Sequence, residues 1–471
     1  DGVGEQAHSV DAEFAPVVSE RAKPLDFFRR RHVLKKFSES IRFPARFLNR
    51  EFAPRGNALF FFLGKRVAAR KTVRMSEAQT DSSARGKAVP LGIYVHVPFC
   101  GTACDYCAFY REEPRRASID AWLAGVEREL RLVPFPREAE TFFIGGGTPG
   151  VLSAKDFGRL AEALVAANGG RVPAEWTVEF APATVKADKL RTLRALGANR
   201  ISLGVQSFDA GTLALLGRRH SPKQIFSAAE TLRASGFGNV NFDLIFSVPG
   251  ENPLRWTSDL ETAIALEPEH LSAYCLILEE DAPLLSRLKN AGRFDSAEKS
   301  PEREAELYLE TWARLAAAGY EQYEVANHAK NGRACIHNLN TWKMAEWLGY
   351  GPSAASQCGG RRFRNPANLG AWLDGLTEGV PARADVERLS PRKLFEDAVV
   401  FGLRLARGFD VAELSRRFGV PAPAALAALG AALRSEGYLE AAFPENIWRP
   451  TQRGLLVADA VALEALRAFG D

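Results

Sequence analysis

The sequence is short of the features that mark several large protein classes. It has no run of 18 apolar residues, and the longest candidate, Leu59 to Leu63, sits between Arg55 and Lys65, so a membrane-spanning helix is not expected. Six cysteines in 471 residues, three of them within eight positions, are too few and too uneven for a secreted disulfide framework. Surplus positive charge is scarce as well. The net charge is +4, and residues 1–74 hold 16 Lys+Arg against 8 Asp+Glu, which leaves 45 basic and 49 acidic residues beyond them. A mildly acidic body argues against nucleic acid as a partner. The expected setting is a reducing cytoplasm, without a transmembrane segment.

What is present is ordinary globular composition, 46% hydrophobic and 25% charged, enough to fill a large core in two or three domains. The first 74 residues are rich in Arg and Phe, without helical or strand period, and the chain does not begin with Met. Met75 opens a polar stretch running to Lys87. Residues 1–88 are therefore expected to form a disordered basic extension, with Met75 as the natural start. Its 8 acidic residues make it a poor organelle-targeting peptide.

From Leu91 the pattern is α/β. Strand-like runs at Gly92–Val97, Thr141–Ile144, Trp176–Phe180, Arg200–Val205, Asn239–Ile245 and His270–Leu276 alternate with helical stretches. The helical stretches are Ser118–Leu132, Ala154–Ala167, Ala187–Leu196, Lys223–Ala234 and Pro253–Leu266. Such units imply a parallel sheet in residues 89–300, either doubly wound or a partial barrel. Residues 301–389 read as an α+β extension: a helix from Pro301 to Ala318, a strand Tyr320–Val325, then a polar Gly-rich region. Residues 390–471 read as a winged-helix-like module, with helices Pro391–Leu405, Val411–Phe418 and Pro423–Glu436, then Tyr438–Ala442, Ile447–Pro450 and a turn at Arg453-Gly454. Its 10 basic and 10 acidic residues form no basic stripe, which favours a structural or partner-contacting role over DNA binding.

The chemistry-bearing element follows the first strand: Val97-Pro-Phe-Cys100-Gly-Thr-Ala-Cys104-Asp-Tyr-Cys107. Thiolates are soft ligands for iron–sulfur clusters or zinc, and a loop can wrap three of them around one [4Fe–4S] cubane. Three ligands leave one iron open, where the amino and carboxylate groups of S-adenosylmethionine (SAM) can chelate and its sulfonium can accept an electron. Zinc sites usually pair two such motifs, and no second pair exists here. Cys275, Cys335 and Cys358 are scattered and read as buried or incidental thiols. Gly145-Gly146-Gly147-Thr148-Pro149 follows the second strand, where glycines admit close backbone approach and amides can hold a charged ligand end. Glu179, Gln206, Arg218 and Asp243 follow along the carboxyl edge, the usual ligand side of such sheets.

These motifs, with Tyr94-Val-His96, Leu203-Gly-Val-Gln206-Ser-Phe208, Gly217-Arg218-Arg-His220, Asp243-Leu-Ile-Phe-Ser-Val-Pro249-Gly250 and His337-Asn-Leu-Asn340, resemble the radical SAM, oxygen-independent coproporphyrinogen III oxidase family, and within it the HemW-like haem chaperones. The resemblance spans residue 89 to the end. It implies a partial (β/α)6 barrel, which chooses between the two sheets. It implies that Cys100, Cys104 and Cys107 hold the cluster, and that Tyr94, Tyr106, Gly147, Thr148, Glu179, Gln206, Arg218, Asp243 and Ile277 line the SAM site. Haem or a porphyrinogen, a haem-acceptor protein and an electron donor are the implied partners, with His337 a candidate haem contact.

The oxidases of the family usually carry a further cysteine two positions after the third ligand, where this chain has Phe109. That favours the chaperone, which binds haem and hands it on, over the decarboxylase, which converts porphyrinogen propionates to vinyl groups. Another radical SAM activity stays open. The chain departs from the HemW-like pattern at Thr341, Ala355 and Ala181, where Tyr, His and Asn are usual.

Overall fold

The computed structural model describes residues 89–249, 253–279, 282–292 and 300–470. The expected extension, Met75 and Gly250 of the sixth motif lie outside the described residues. Six parallel strands follow one another in sequence order: β1 (Leu91–Val97), β2 (Thr141–Gly146), β3 (Glu175–Phe180), β4 (Arg200–Gln206), β5 (Val240–Phe246) and β6 (His270–Cys275). The helices between them are α1 (Arg116–Leu132), α2 (Ala154–Ala167), α3 (Ala187–Ala195), α4 (Ala210–Leu215), α5 (Pro222–Ala234) and α6 (Pro253–Ala265). Their starts are chemically marked: Ser153 with Asp156, and Ser221 with Gln224, close reciprocal capping boxes, the second with Pro222 in the first turn.

Strict sequential order curls the sheet into a barrel wall, but β1 and β6 do not pair with each other. β1 pairs in parallel with β9 (Glu346–Tyr350), and β6 pairs with β8 (Asn327–Ala329), so the barrel is partial. The outward residues Ile93, Val95, Phe142, Ile144, Trp176, Val178, Ile201 and Leu203 are buried under the helices, with Phe142 and Trp176 edge to face at 5.1 Å. The inward residues are mostly polar: Tyr94 and His96, Thr141, Glu175 and Glu179, Arg200 and Ser202, Asn241 and Asp243, His270 and Ser272. Helices therefore hold the wall from outside, and the lumen is a hydrogen-bonded interior.

The extension joins the same sheet rather than standing beside it. After α7 (Pro283–Asn290) and α8 (Pro301–Ala317), the expected strand Tyr320–Val325 is cut to β7 (Glu321–Gln322), because the chain turns back into β8. The buried Glu324 carboxylate forces that turn, accepting from the Ala326 amide at 2.9 Å and from Asn327 Nδ2 at 2.5 Å. The Gly-rich region is ordered into α9 (Ile336–Trp342), β9, β10 (Ala355–Cys358) and β11 (Arg361–Arg364). Helix α10 (Leu369–Thr377) and edge strand β12 (Ala384–Arg388) follow.

The last segment contains α11 (Pro391–Gly402), β13 (Phe409–Asp410), α12 (Val411–Phe418), α13 (Ala424–Ser435), β14 (Ile447–Trp448), α14 (Gln452–Leu456) and α15 (Ala458–Phe469). Strands β13 and β14 form a small antiparallel pair. Arg453-Gly454 lies inside α14 instead of forming a turn. Gly454 is required there by packing, since a Cβ would meet the Tyr438 carbonyl, and its amide bonds to the capping Thr451 hydroxyl at 3.1 Å. No described helix is long and apolar enough to cross a membrane.

Candidate functional site

The cysteine loop leaves the carboxyl end of β1 and is closed at its neck. The Cys100 amide donates to the Glu112 carbonyl at 3.0 Å, and the Glu112 amide donates to the Pro98 carbonyl at 2.7 Å, so residues 100–111 form a pinned excursion. Inside it the Cys107 amide turns back onto the Cys104 carbonyl at 3.3 Å, while Arg111 Nη1 donates to the Cys107 carbonyl at 3.2 Å. All three thiols are free and half-buried. Burial pushes the Cys100 and Cys107 thiols up, and each of the two also feels the charge of Cys104 and of Arg218. Arg218 is half-buried beside Tyr106, to whose hydroxyl it donates at 2.5 Å, and its buried Nε has no partner among the described residues.

Three free thiols on one pinned loop, facing a guanidinium, suit an anionic thiolate-ligated cluster, because the fixed positive charge offsets the negative charge that deprotonated sulfurs bring into a desolvated site. Residues Cys100, Cys104 and Cys107 would hold it. Among the described residues, no group of three or more His, Cys, Asp or Glu is gathered as a single metal ion needs.

The glycine run does a different job from the one expected of it. The Gly146 amide donates to Glu179 Oε2 at 3.1 Å, the Gly147 amide to the Val97 carbonyl at 2.8 Å and the Thr148 amide to the Phe99 carbonyl at 2.8 Å. Those amides are engaged within the protein. A Cβ on Gly147 would lie 2.7 Å from the Val97 carbonyl oxygen, and one on Gly145 2.7 Å from Glu179 Oε2. Gly146 has φ +102° and lies against the His96 ring. The run thus seats β2 and the cysteine loop at close quarters, and Thr148 Oγ1 reaches Cys100 Sγ at 3.6 Å.

Three acidic and polar strand ends complete the bowl. Glu179 is half-buried, and desolvation of its carboxyl, reinforced by the Asp243 charge, pushes it up to about 8. A carboxyl whose folded pKa lies above its unfolded value stabilises the fold below the unfolded value, and that contribution is lost as pH rises through the folded one. Ligand-free protein is therefore expected to lose stability between about pH 5 and 8, by at most about 1.4 kcal/mol per pH unit from this group. Glu179→Gln should flatten that slope; denaturant midpoints at two pH values read it, and an unchanged slope would refute the burial argument. Asp243 is also pushed up by burial and accepts from Ser202 Oγ and Asn241 Nδ2, both at 2.9 Å. Gln206 ends β4 at a register shift with φ +68°, a left-handed backbone that folds its amide back over Gly204. Ile277, half-buried, lies just beyond β6 on the same edge.

Two further groups of side chains are hydrogen-bonded inside the strands. Tyr94 donates to His96 Nδ1 at 3.0 Å when His96 Nε2–H donates to the Tyr110 carbonyl at 3.3 Å, and burial pushes His96 down to about 4, so its ring is neutral. Asn241 Oδ1 accepts from His270 Nδ1 at 2.6 Å, and His270 Nε2 meets the Tyr323 hydroxyl at 2.8 Å. The alternating polar positions of β5 and β6 are the only sequence signal for this chain of bonds.

His337 is placed elsewhere. It lies at the amino-terminal end of the barrel on α9, whose first amides, Ile336 and His337, donate to Glu175 at 2.9 Å each. Its Nδ1 bonds Thr141 Oγ1 at 2.8 Å, its ring packs on Phe143, and burial pushes it down to about 4. The expected haem contact is thus a buried, hydrogen-bonded ring at the opposite end of the strands from the cysteines. Thr341 returns a bond to the His337 carbonyl, and Trp342 packs on Phe401 under the Arg404 guanidinium. Phe109 is 52% exposed on the cysteine loop.

Fold and site together define a radical SAM protein. Residues 94–262 match the Radical SAM superfamily model, and residues 389–457 match the HemN C-terminal domain. The chain belongs to the HemW family: it is 34% identical over 379 residues to "Heme chaperone HemW" of Mycobacterium tuberculosis, covering 79% of this chain and 94% of that protein. It is also 32% identical over 334 residues to the Bacillus subtilis "Heme chaperone HemW", covering 69% and 86%. Coproporphyrinogen III oxidase (HemN) from Escherichia coli shares the fold with a TM-score of 0.68 at 24% identity, over 81% of this chain and 91% of that one. Membership of the superfamily implies a [4Fe–4S] cluster and SAM.

Proposed function

We propose that this chain binds a [4Fe–4S] cluster through Cys100, Cys104 and Cys107, takes SAM in the bowl lined by Tyr94, Tyr106, Gly147, Thr148, Glu179, Gln206, Arg218, Asp243 and Ile277, and binds haem that it hands to an acceptor protein in the cytoplasm. When bound, such a cluster supplies an electron to the SAM sulfonium. The chain's residues do the rest: Arg218 balances thiolate charge, Glu179 and Asp243 offer carboxyls to the polar end and hydroxyls of the ligand, and the neutral His96 orients the Tyr94 hydroxyl. The observation that carries the reading is the pinned loop of three free thiols seated on the glycine run and faced by the Arg218 guanidinium. Phe109, in the place of the oxidases' further cysteine, supports haem handling over decarboxylation.

The test is anaerobic reconstitution of the full chain, then titration with haem and, separately, incubation with SAM, dithionite and coproporphyrinogen III. Stoichiometric haem with a shifted Soret band and no vinyl product is expected; a decarboxylated product would replace the chaperone reading with the oxidase. His337→Ala is expected to lower the melting temperature and leave the haem spectrum in place. Loss of haem at unchanged melting temperature would return His337 to the haem site.

A further inference from the structure

Helix α7 touches the cysteine loop at Asp105 and at Tyr106. Asp105, between Cys104 and Tyr106, donates its amide to the Leu216 carbonyl at 3.1 Å and accepts at its carbonyl from the Leu284 amide at 2.7 Å, the first turn of α7. Its carboxylate is ion-paired with Arg287, one turn further along α7. Arg287 also donates through Nη2 to the Leu215 carbonyl at 3.1 Å, at the end of α4. Gly217, at φ +71°, gives the loop room, since a Cβ there would lie 2.8 Å from Asp105 Cγ. Tyr106 beside it packs into the apolar cluster of Leu216, Ile245, Val248, Leu276, Leu284 and Leu288. Three separate segments thus meet at one residue, whose Cα is one peptide unit, about 3.8 Å, from that of Cys104.

We infer that the Asp105–Arg287 pair is a positioning clasp for the cluster loop, fixing it to α7 and setting the charge seen by the cluster; this rests on the cluster assignment above. Arg287 is 49% and Asp105 22% exposed, so the pair adds little to global stability. Its leverage is local. Cluster potentials respond to net charge and solvent exposure, and Asp105 is a carboxylate placed next to a ligand whose ion-pair partner among the described residues is Arg287. The other charges around the loop, Arg111, Arg218 and Glu112, are bound to it by their own contacts and stay constant when the clasp is changed.

A purely mechanical brace and a charge-setting clasp give different signatures. In reconstituted full-length protein, Arg287→Gln leaves Asp105 unneutralised and is expected to shift the cluster potential negative. Asp105→Asn leaves Arg287 unopposed and should shift it positive. The double variant should return toward the parent value, and Arg287→Lys, which keeps the charge, should stay near it. Both neutralising single variants should lose the cluster in air several-fold faster than the parent. Redox titration followed by EPR reads the potential, and bleaching of the visible absorbance reads the loss. Shifts of the same sign, or none in proteins with full iron content, would overturn the clasp. If a neutralising variant takes no cluster, Arg287→Lys decides, since a charge-setting clasp requires it to assemble at the parent potential. A parent protein that takes no iron would overturn the cluster assignment itself, and the clasp with it.

Discussion

Replacing Cys104 with alanine is expected to abolish the cluster: the reconstituted variant should lack the broad visible absorbance of the parent and hold well under four irons per chain. Two thiolates on a loop closed at its neck cannot hold a cubane that three ligands already leave open at one iron. No described residue replaces the missing sulfur. Cys335 lies at the far end of the strands with its thiol on Glu175 at 3.3 Å, and Cys275 is buried in the wall. Alanine at Cys275, Cys335 or Cys358 should therefore leave iron content unchanged. Iron and sulfide analysis of the four variants separates the two groups, and a Cys104 variant with a full cluster would refute the ligand assignment. Circular dichroism should show the fold retained, since the loop neck is held by backbone bonds of Cys100, Pro98 and Glu112 that the substitution does not touch.

The second large effect is on folding. Glu129, on α1, is completely buried, and its two oxygens take four donors: the Gly351 amide at 2.9 Å, Asn365 Nδ2 at 2.9 Å, Trp372 Nε1 at 3.1 Å and Arg383 Nη1 at 3.0 Å. These come from the turn after β9, the segment after β11, helix α10 and the approach to β12. One carboxylate therefore ties the first barrel helix to most of the extension. Glu129→Gln keeps the shape but turns an acceptor into a donor among donors and leaves Arg383 without its counter-charge. A loss of about 3–5 kcal/mol in unfolding free energy is expected from breaking one side of a buried pair. Urea denaturation measures it; a loss under about 1 kcal/mol, within the range of an exposed pair, would show the network to be expendable.

The parallel sheet was legible because short strands alternate with helical stretches, whereas the choice of a partial barrel came from the family resemblance. In Arg200-Ile-Ser-Leu-Gly-Val-Gln206, apolar residues face the helices and polar or small ones the lumen, so period, spacing and the capping serines place β4, α2 and α5 within a residue or two. The cysteine spacing placed the reactive loop for the same reason: it is local. What sequence reasoning lost depends on residues far apart. The turn at Glu324 needs a buried carboxylate that reads as a surface residue in a β-favouring run. Asp105 and Arg287 are 182 positions apart, and Glu129 reaches partners more than 220 positions away. The glycine run was placed correctly and its amides were not, because whether an amide is free depends on which carbonyl the next strand brings to it. His337 illustrates the same limit: a motif names a residue but not the end of the barrel that it occupies.

The hydrogen-bonded lumen has an evolutionary consequence. Ser202, Asn241, Asp243, His270, Ser272 and Tyr323 each bond to another member of the same set, so altering one leaves a buried donor or acceptor stranded on its neighbour. Such positions do not drift independently. Among descendants of this chain they are expected to be inherited as one block, or exchanged in concert, while the apolar shell outside the strands can change in smaller, separate steps, each at the cost of about 1 kcal/mol for a methyl group.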